Sequence, residues 1–221
     1  RAFLAAGYSE VPVHVIGSDP GVTAAFNGAT HMPFEDAALY MTIPNAVVLD
    51  SCDFAQTYAL TKACAAYDQI SYLRLIRKGF TTVYADGSEF EIGKGVTLKE
   101  GKDVTIIASG IMVDEALKAE EALAGEGISA KVVDMFCWKP IDEELILESA
   151  KETGCIVTAE NHQVGCGLGS AVANVLVKNA PVPMEMVGIQ NRFGQVGDQA
   201  FLMKEYNLTA EDIVAAAKKA I

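Results

Sequence analysis

Segments typical of buried strands and of helices alternate along the chain, and this alternation limits the possible fold more than any other feature. Stretches rich in β-branched residues, such as VPVHVIG (11–17) and NAVVLDS (45–51), are typical of strands. The segment between them ends in PFEDAALYMTI (33–43), which has acidic residues where the first turn of a helix would be. The order strand, helix, strand, helix, strand over residues 11–77 predicts a parallel sheet.

A second run of the same alternation follows a polar, glycine-rich break. It extends from the strand-like DVTIIASG (103–110) to a final helix in which Thr209 and Asp212 have capping-box spacing. The sequence therefore predicts an α/β protein with two doubly wound parallel-sheet domains, the first of them truncated at its N-terminus. The predicted divisions are the truncated domain over 1–78, a linker over 79–101 and a complete domain over 102–221.

Charge and cysteine content narrow the class of protein. A formal net charge of −12, with no basic patch, argues against a nucleic-acid partner and against an anionic membrane surface. The five cysteines are scattered and form no CxxC motif, which predicts a reducing, cytoplasmic location. No apolar run is long enough to span a bilayer. The chain does not begin with methionine, and we expect the amino-terminal part of a longer chain to be missing.

Two stretches in the second half have both a functional and a structural interpretation. The glycine-rich VGCGLGSAV (164–172) is close to a dinucleotide-binding motif, but Ser170 stands in place of the last glycine. The structural alternative is a tight turn that lets a helix pack closely on the sheet. Glu160 and His162, at the carboxyl end of a predicted strand, are either an acid/base pair or part of an interface. The three histidines of the chain lack metal-ligand spacing, so no metal site is predicted.

His31 and Arg77 are the two candidates at the edge of the first predicted sheet where ligands bind. His31 lies in the loop that follows the first strand, where an imidazole can donate a hydrogen bond or move a proton near neutral pH. Arg77 ends the strand-like SYLRLIR, and a guanidinium there can bind two phosphate oxygens. The structural alternatives are a capping or packing histidine and a surface charge.

Several motifs in order resemble the carboxyl-terminal part of transketolases, most closely the split transketolases of bacteria and archaea. They are GATHMPFEDAALYMTIPNAVVLDSCD, YLRLIRKG, EGKDVTIIASG, KPIDEELILESAKETGCIVTAENH, GLGSAVANVL and NRFGQVG. Deoxyxylulose phosphate synthases and the beta subunits of 2-oxoacid dehydrogenases share this architecture and are the nearest competitors.

The resemblance implies a subunit of a thiamine diphosphate-dependent enzyme that transfers a two-carbon ketol unit between sugar phosphates. The cofactor, with Mg²⁺ or another divalent ion, would be bound mostly by residues outside this chain. The expected partner is a diphosphate-binding domain or an N-terminal transketolase subunit, in a homodimer or heterotetramer. His31 matches the histidine of the family motif DGxTHQP, which contacts the sugar donor, and Arg77 matches the arginine that binds the substrate phosphate.

This chain departs from the family pattern in the loop that contains His31. Asn27 replaces the aspartate that contacts a donor hydroxyl, Phe26 replaces the acid before it, and Met32 replaces a glutamine. Asp19 replaces a histidine, and its carboxylate would repel a nearby phosphate. One buried, mispaired polar group costs about 1–3 kcal/mol, which is enough to change the preferred donor. The resemblance thus implies His31 as catalytic and Arg77, Asn27 and Asp19 as substrate-binding, with an altered donor preference.

Two other functions remain open at the level of sequence. A beta-type subunit of a 2-oxoacid dehydrogenase would oxidise its substrate and would need an acyl-carrier partner. The stretch NGATHMP, which is close to DGxTHQP, favours a transketolase. A diverged, non-catalytic subunit of such a complex is the third possibility, because of the changes at Asp19, Phe26 and Asn27.

Overall fold

The computed structural model describes residues 1–79 and 81–221; Phe80, in the predicted linker, lies outside the described residues. Strands and helices alternate along both halves of the chain. The first half contains α1 (Ala2–Tyr8), β1 (His14–Ser18), α2 (Asp36–Met41), β2 (Val47–Asp50), α3 (Phe54–Ala66) and β3 (Ser71–Leu75). The second half contains β4 (Val96–Lys99), β5 (Val104–Ala108), α4 (Met112–Gly125), β6 (Ala130–Asp134), β7 (Cys137–Lys139), α5 (Glu143–Thr153), β8 (Ile156–Gln163), α6 (Leu168–Asn179), β9 (Met184–Ile189), α7 (Gln199–Glu205) and α8 (Ala210–Ala220).

The first sheet has the strand order β1-β3-β2-β7. β3 pairs in parallel with β1 on one side and with β2 on the other. The carboxyl ends of these three strands therefore meet at one edge, which carries the loops after Ser18, Asp50 and Leu75. β7 pairs antiparallel with β2, although it lies far along the chain among the elements of the second half.

The second sheet has the order β4-β6-β5-β8-β9. β6, β5, β8 and β9 are all parallel to one another, and β4 is antiparallel to β6 at the edge. The predicted α/β class with two sheets is confirmed, but both sheets are mixed, since each ends in one antiparallel strand. β4 lies inside the segment predicted as a linker, so part of that segment is a strand of the second sheet.

Local sequence signals explain where the helices begin. The Asp53 side chain accepts a hydrogen bond from the backbone N–H of Gln56 at 2.8 Å and so caps α3. The predicted capping box at Thr209 and Asp212 is present at the start of α8. Both caps satisfy backbone N–H groups that would have no partner inside the helix.

The hydrophobic core extends across both halves of the chain. One buried cluster joins Val22 and Phe34, on either side of His31 in the chain, to Ile106 and Leu202 of the second half. Another joins the first-half helix residue Tyr40 to Trp138 and other residues of the second half. The burial of these side chains stabilises both halves together, because removing either half would expose apolar surface of the other.

Candidate active site

His31 lies in the segment 19–32, which we call the His31 loop and which connects β1 to α2. Two short 3₁₀ turns form most of this loop, Gly21–Asn27 and Ala29–His31. The His31 ring is exposed, and its Nδ1 lies 3.0 Å from the Thr30 hydroxyl. It lines a cleft of about 910 Å³ together with Gln163 and Arg192. Both halves of the chain therefore form the cleft next to His31.

Asp19 and Arg77, the two predicted substrate-binding residues of opposite charge, are in direct contact. The Asp19 carboxylate accepts a hydrogen bond from the Arg77 backbone N–H at 3.1 Å and pairs with the Nε and Nη2 atoms of its guanidinium. The Asp19 side chain is only 8% exposed, whereas that of Arg77 is 67% exposed. This ion pair places part of the guanidinium in solvent at the carboxyl edge of the first sheet.

His31 and Arg77 line different clefts at this edge. Arg77 borders a cleft of about 220 Å³ with Asp53, Thr57 and Lys78. Asn27 and Phe26 are exposed on the His31 loop. The structure thus brings Asp19 to Arg77 and leaves Asn27 in solvent.

Asn161, from β8 in the second half, fixes the backbone at the start of the His31 loop. Its Oδ1 accepts a hydrogen bond from the N–H of Val22 at 3.0 Å, and its Nδ2 donates to the carbonyl of Pro20 at 2.9 Å. Gly21, between these two residues, has a φ of 56°, and a Cβ there would lie 2.1 Å from the Asn161 Oδ1. Glycine is therefore required for this close approach.

Arg74 is fully buried between the two halves, and its charge has several partners. Its guanidinium bonds to Asp36 at 3.0 Å, to Asp50 at 3.2 Å and to the carbonyl of Asn161 at 2.9 Å. Burial alone would raise the pKa of Asp36, but Arg74 and the Tyr72 hydroxyl hold that pKa below its usual value. A buried charge that is paired is costly to disturb from either side, so this network fixes the geometry between the halves.

Glu160 and His162 are in the interior, next to this network. The two Glu160 carboxylate oxygens accept the backbone N–H groups of Leu168 and Gly169 at 2.8 and 2.7 Å, at the start of α6. Burial raises the pKa of Glu160 to about 8 and lowers the pKa of His162 to about 4. Both side chains are fully buried within this chain, so the pair is neither open to substrate nor exposed on a surface of the chain.

The glycine-rich stretch at 164–172 has the structural role considered above, in which its glycines let a helix pack closely on the sheet. A Cβ at Gly167 would lie 1.9 Å from a Glu160 oxygen, and one at Gly169 would lie 3.0 Å from the other oxygen. The glycines therefore allow the start of α6 to approach the Glu160 carboxylate. This contact uses the backbone N–H groups that a dinucleotide phosphate would need.

Sequence reasoning missed the roles of Arg74 and Asn161, although one signal for Arg74 was present. A charged residue inside the apolar strand SYLRLIR must find buried partners, and Asp50 at the end of VVLD is one of them. Asn161 gave no comparable signal, because its hydrogen bonds are made to backbone groups far away in the sequence.

Comparisons with known proteins agree with this architecture. The profile of the family described as transketolase, pyrimidine binding domain, matches residues 2–81, and that of the transketolase C-terminal domain matches residues 93–213. The chain is 46% identical over 214 residues to the 6-deoxy-6-sulfo-D-fructose transketolase subunit SqwH of Clostridium sp. (strain MSTE9), covering 97% of this chain and 66% of that protein.

Two further similarities extend this result. A subunit of the apulose-4-phosphate transketolase of Phocaeicola vulgatus is 38% identical, with 95% of this chain and 67% of that protein covered. A solved structure described as a split gene transketolase, inactive beta4 tetramer, superposes with a TM-score of 0.91 at 46% identity, over 96% of this chain and 68% of that one. The chain thus spans about two thirds of the length of these proteins.

Proposed function

The chain belongs to the transketolase family, and we propose that it acts as the second subunit of a split transketolase that transfers a two-carbon ketol unit between sugars. The observation that carries this proposal is the order of the two matched domains, because both named relatives are subunits of transketolases and resemble the chain over nearly its whole length. Neither of these relatives is a 2-oxoacid dehydrogenase. This supports ketol transfer over the oxidative alternative.

His31 is the proposed catalytic residue of this chain. Its ring is exposed in a cleft that has room for a sugar, and an imidazole can donate a hydrogen bond to a donor oxygen or move a proton from a hydroxyl. Arg77 is proposed to bind the anionic end of the substrate, with Asp19, which contacts it, and Asn27, on the His31 loop, as specificity residues. Gln163 and Arg192 line the same cleft as His31 and are available to orient the sugar.

The pyrimidine-binding family implies thiamine diphosphate, which supplies a carbon nucleophile for cleaving the ketose when it is bound. Within residues 1–79 and 81–221, no group of three His, Cys, Asp or Glu side chains is arranged to hold a metal ion. A divalent cation on a diphosphate usually takes carboxylate ligands, so the described donor set does not fit the diphosphate end. We propose that a first subunit holds the diphosphate and its Mg²⁺.

The test is reconstitution of the full-length gene product with its first subunit. Ketol transfer from a ketose with an anionic end is expected in the mixture, and neither subunit alone should show it. Oxidation of a 2-oxoacid by the mixture would favour the dehydrogenase alternative. A stable complex that binds thiamine diphosphate but transfers nothing from any ketose would favour a non-catalytic subunit.

A further inference from the structure

The Asp19–Arg77 pair is preassembled by the backbone. The N–H of Asp19 donates to the carbonyl of Leu75 at 2.8 Å, which continues the pairing of β1 with β3 beyond Ser18. Asp19 has a φ of 55°, a left-handed conformation that aspartate adopts more easily than most residues. Its nearly buried carboxylate is thereby aimed at Arg77, two residues after the end of β3, and has little freedom to turn away.

Among residues 1–79 and 81–221, the pairing with Asp19 leaves one edge of the Arg77 guanidinium without a partner. Asp19 uses the Nε and one Nη2 hydrogen of Arg77, and a guanidinium has five N–H groups in a fixed fork. The Nη1–Nη2 edge therefore remains for a second oxyanion, and the exposure of the side chain makes this edge accessible. Arg77 can thus bind two oxygens of a substrate while it stays bonded to Asp19.

The cleft has no excess positive charge for a dianion. Arg77 and Lys78 contribute two positive charges at its border. Asp53 lines the cleft and Asp19 is bonded to Arg77, so these two negative charges offset the positive ones. The Asp53 carboxylate already accepts the N–H groups of Gln56, Val83 and Tyr84. A phosphate monoester carries about −1.5 to −2 at pH 7, whereas a sulfonate carries a single charge and does not titrate. Among the described residues, the second charge of the phosphate would therefore mainly add repulsion from the Asp19 carboxylate beside Arg77.

We propose that Asp19 sets the specificity for the substrate end: it holds Arg77 in a neutral pair that favours a monoanionic oxyanion, such as a sulfonate, over a phosphate dianion. This inference rests on the proposed ketol-transfer function. It makes Asp19 a specificity-determining residue, because the carboxylate changes the charge of the group that binds the substrate end.

The experiment compares a sulfonate-ended ketose with the matching ketose phosphate in the reconstituted full-length complex. The wild-type protein should have the higher kcat/KM for the sulfonate at pH 7.5. Asp19→Asn should shift the ratio toward the phosphate by about tenfold or more, the effect of one charge-assisted hydrogen bond. The shift should occur in KM, with kcat unchanged. Glu144→Gln, which removes one charge from the exposed Lys94–Glu144 pair, should leave the ratio as it is.

A pH series separates a charge effect from a change of shape. The second pKa of a phosphate monoester is about 6, so use of the phosphate by the wild-type protein should improve between pH 7.5 and 6, while use of the sulfonate changes little. In Asp19→Asn this improvement should disappear. A wild-type preference for the phosphate at pH 7.5, or an unchanged ratio in Asp19→Asn, would overturn the inference.

Equilibrium binding distinguishes this inference from the proposed function. Dissociation constants of the two ketoses for the complex, measured by calorimetry, give the same comparison without turnover. Preferential sulfonate binding that Asp19→Asn reverses, in a complex without transfer activity, would support the inference and refute the proposed function. Transfer activity combined with equal binding of both ketoses would support the proposed function and refute the inference.

Discussion

Asp134, at the end of β6, is a fully buried acid whose pKa lies near neutrality. Burial raises this pKa to about 7, although the Tyr84 hydroxyl and the Gln56 amide both donate to the carboxylate, at 2.7 and 2.6 Å. The nearby Asp50 and Asp53 carboxylates raise it further. Since the pKa is higher in the folded than in the unfolded chain, its contribution to stability is fully present below about pH 4. That contribution is lost as the pH rises through 7.

We expect Asp134→Asn to remove the contribution of this carboxyl group to the pH dependence of the free energy of unfolding. The amide oxygen can still accept from Tyr84 and Gln56, but it has no proton to lose. The free energy of unfolding of the variant, relative to wild type, should therefore increase from pH 4 to pH 8 in urea titrations. The exposed control Glu121→Gln should show no such trend. A constant difference over this range would contradict the raised pKa.

Other buried groups also titrate, so the comparison must be made as a difference from wild type. Burial lowers the pKa of His162 to about 4. Its contribution to stability is present above about pH 6.5 and is lost as the pH falls through 4, which opposes the slope from Asp134. The raised pKa of Glu160, about 8, acts in the same direction as Asp134. Subtracting the wild-type curve removes both contributions.

His31 is expected to affect turnover more than binding. In the reconstituted complex, His31→Ala should lower kcat by roughly a hundredfold, the lower end of the usual contribution of a general acid or base. His14→Ala is the matched control, because His14 is also exposed but bonds to Ser71 at the amino end of the sheet. Steady-state kinetics with one donor give the kcat values of the two variants. Equal kcat values for both variants would show that His31 takes no part in the chemical step.

At the scale of elements, the second half positions the His31 loop through β8. Asn161→Ala would remove the acceptor of the Val22 N–H, whereas the carbonyl of Pro20 would keep the Thr23 hydroxyl as a donor. We expect a loss of about 1–3 kcal/mol in stability and faster amide hydrogen exchange at Val22. We also expect a lower kcat in the complex. Asn174→Ala, which removes an exposed hydrogen bond within α6, is the control. If exchange at Val22 were unchanged, the loop would be held by other contacts.

Sequence patterns predicted the long elements well and the short or distant pairings poorly. The strands at 47–50 and 104–108 and the helix at 36–41 lie within the predicted segments, because local periodicity specifies them. The three residues of β7 are too few for a pattern, and their pairing with β2 depends on contacts far apart in sequence. The parallel topology correctly predicted that His31 and Arg77 lie at one edge of the first sheet. It did not predict the contact of Asp19 with Arg77. The functional roles of these residues stay predictions.

At the scale of the whole molecule, the two halves are expected to depend on each other for stability. The segment 102–221 alone would lack β2, the partner of β7, and would expose core residues that pack against Val22 and Phe34. We expect this fragment to bind a hydrophobic dye and to unfold at lower urea concentration than the whole chain. Co-expression with residues 1–101 should restore the midpoint. A fragment as stable as the intact chain would show that the shared core contributes little.

The position of β7 also has a consequence for the order of events during protein synthesis. A ribosome releases β1, α2, β2, α3 and β3 well before it reaches residues 137–139, and synthesis proceeds at about 5–20 residues per second. During that interval the outer edge of β2 has no strand beside it, and an unpaired strand edge is a template for association with other chains. The nascent first half is therefore a stage at which this edge is open to association with other chains.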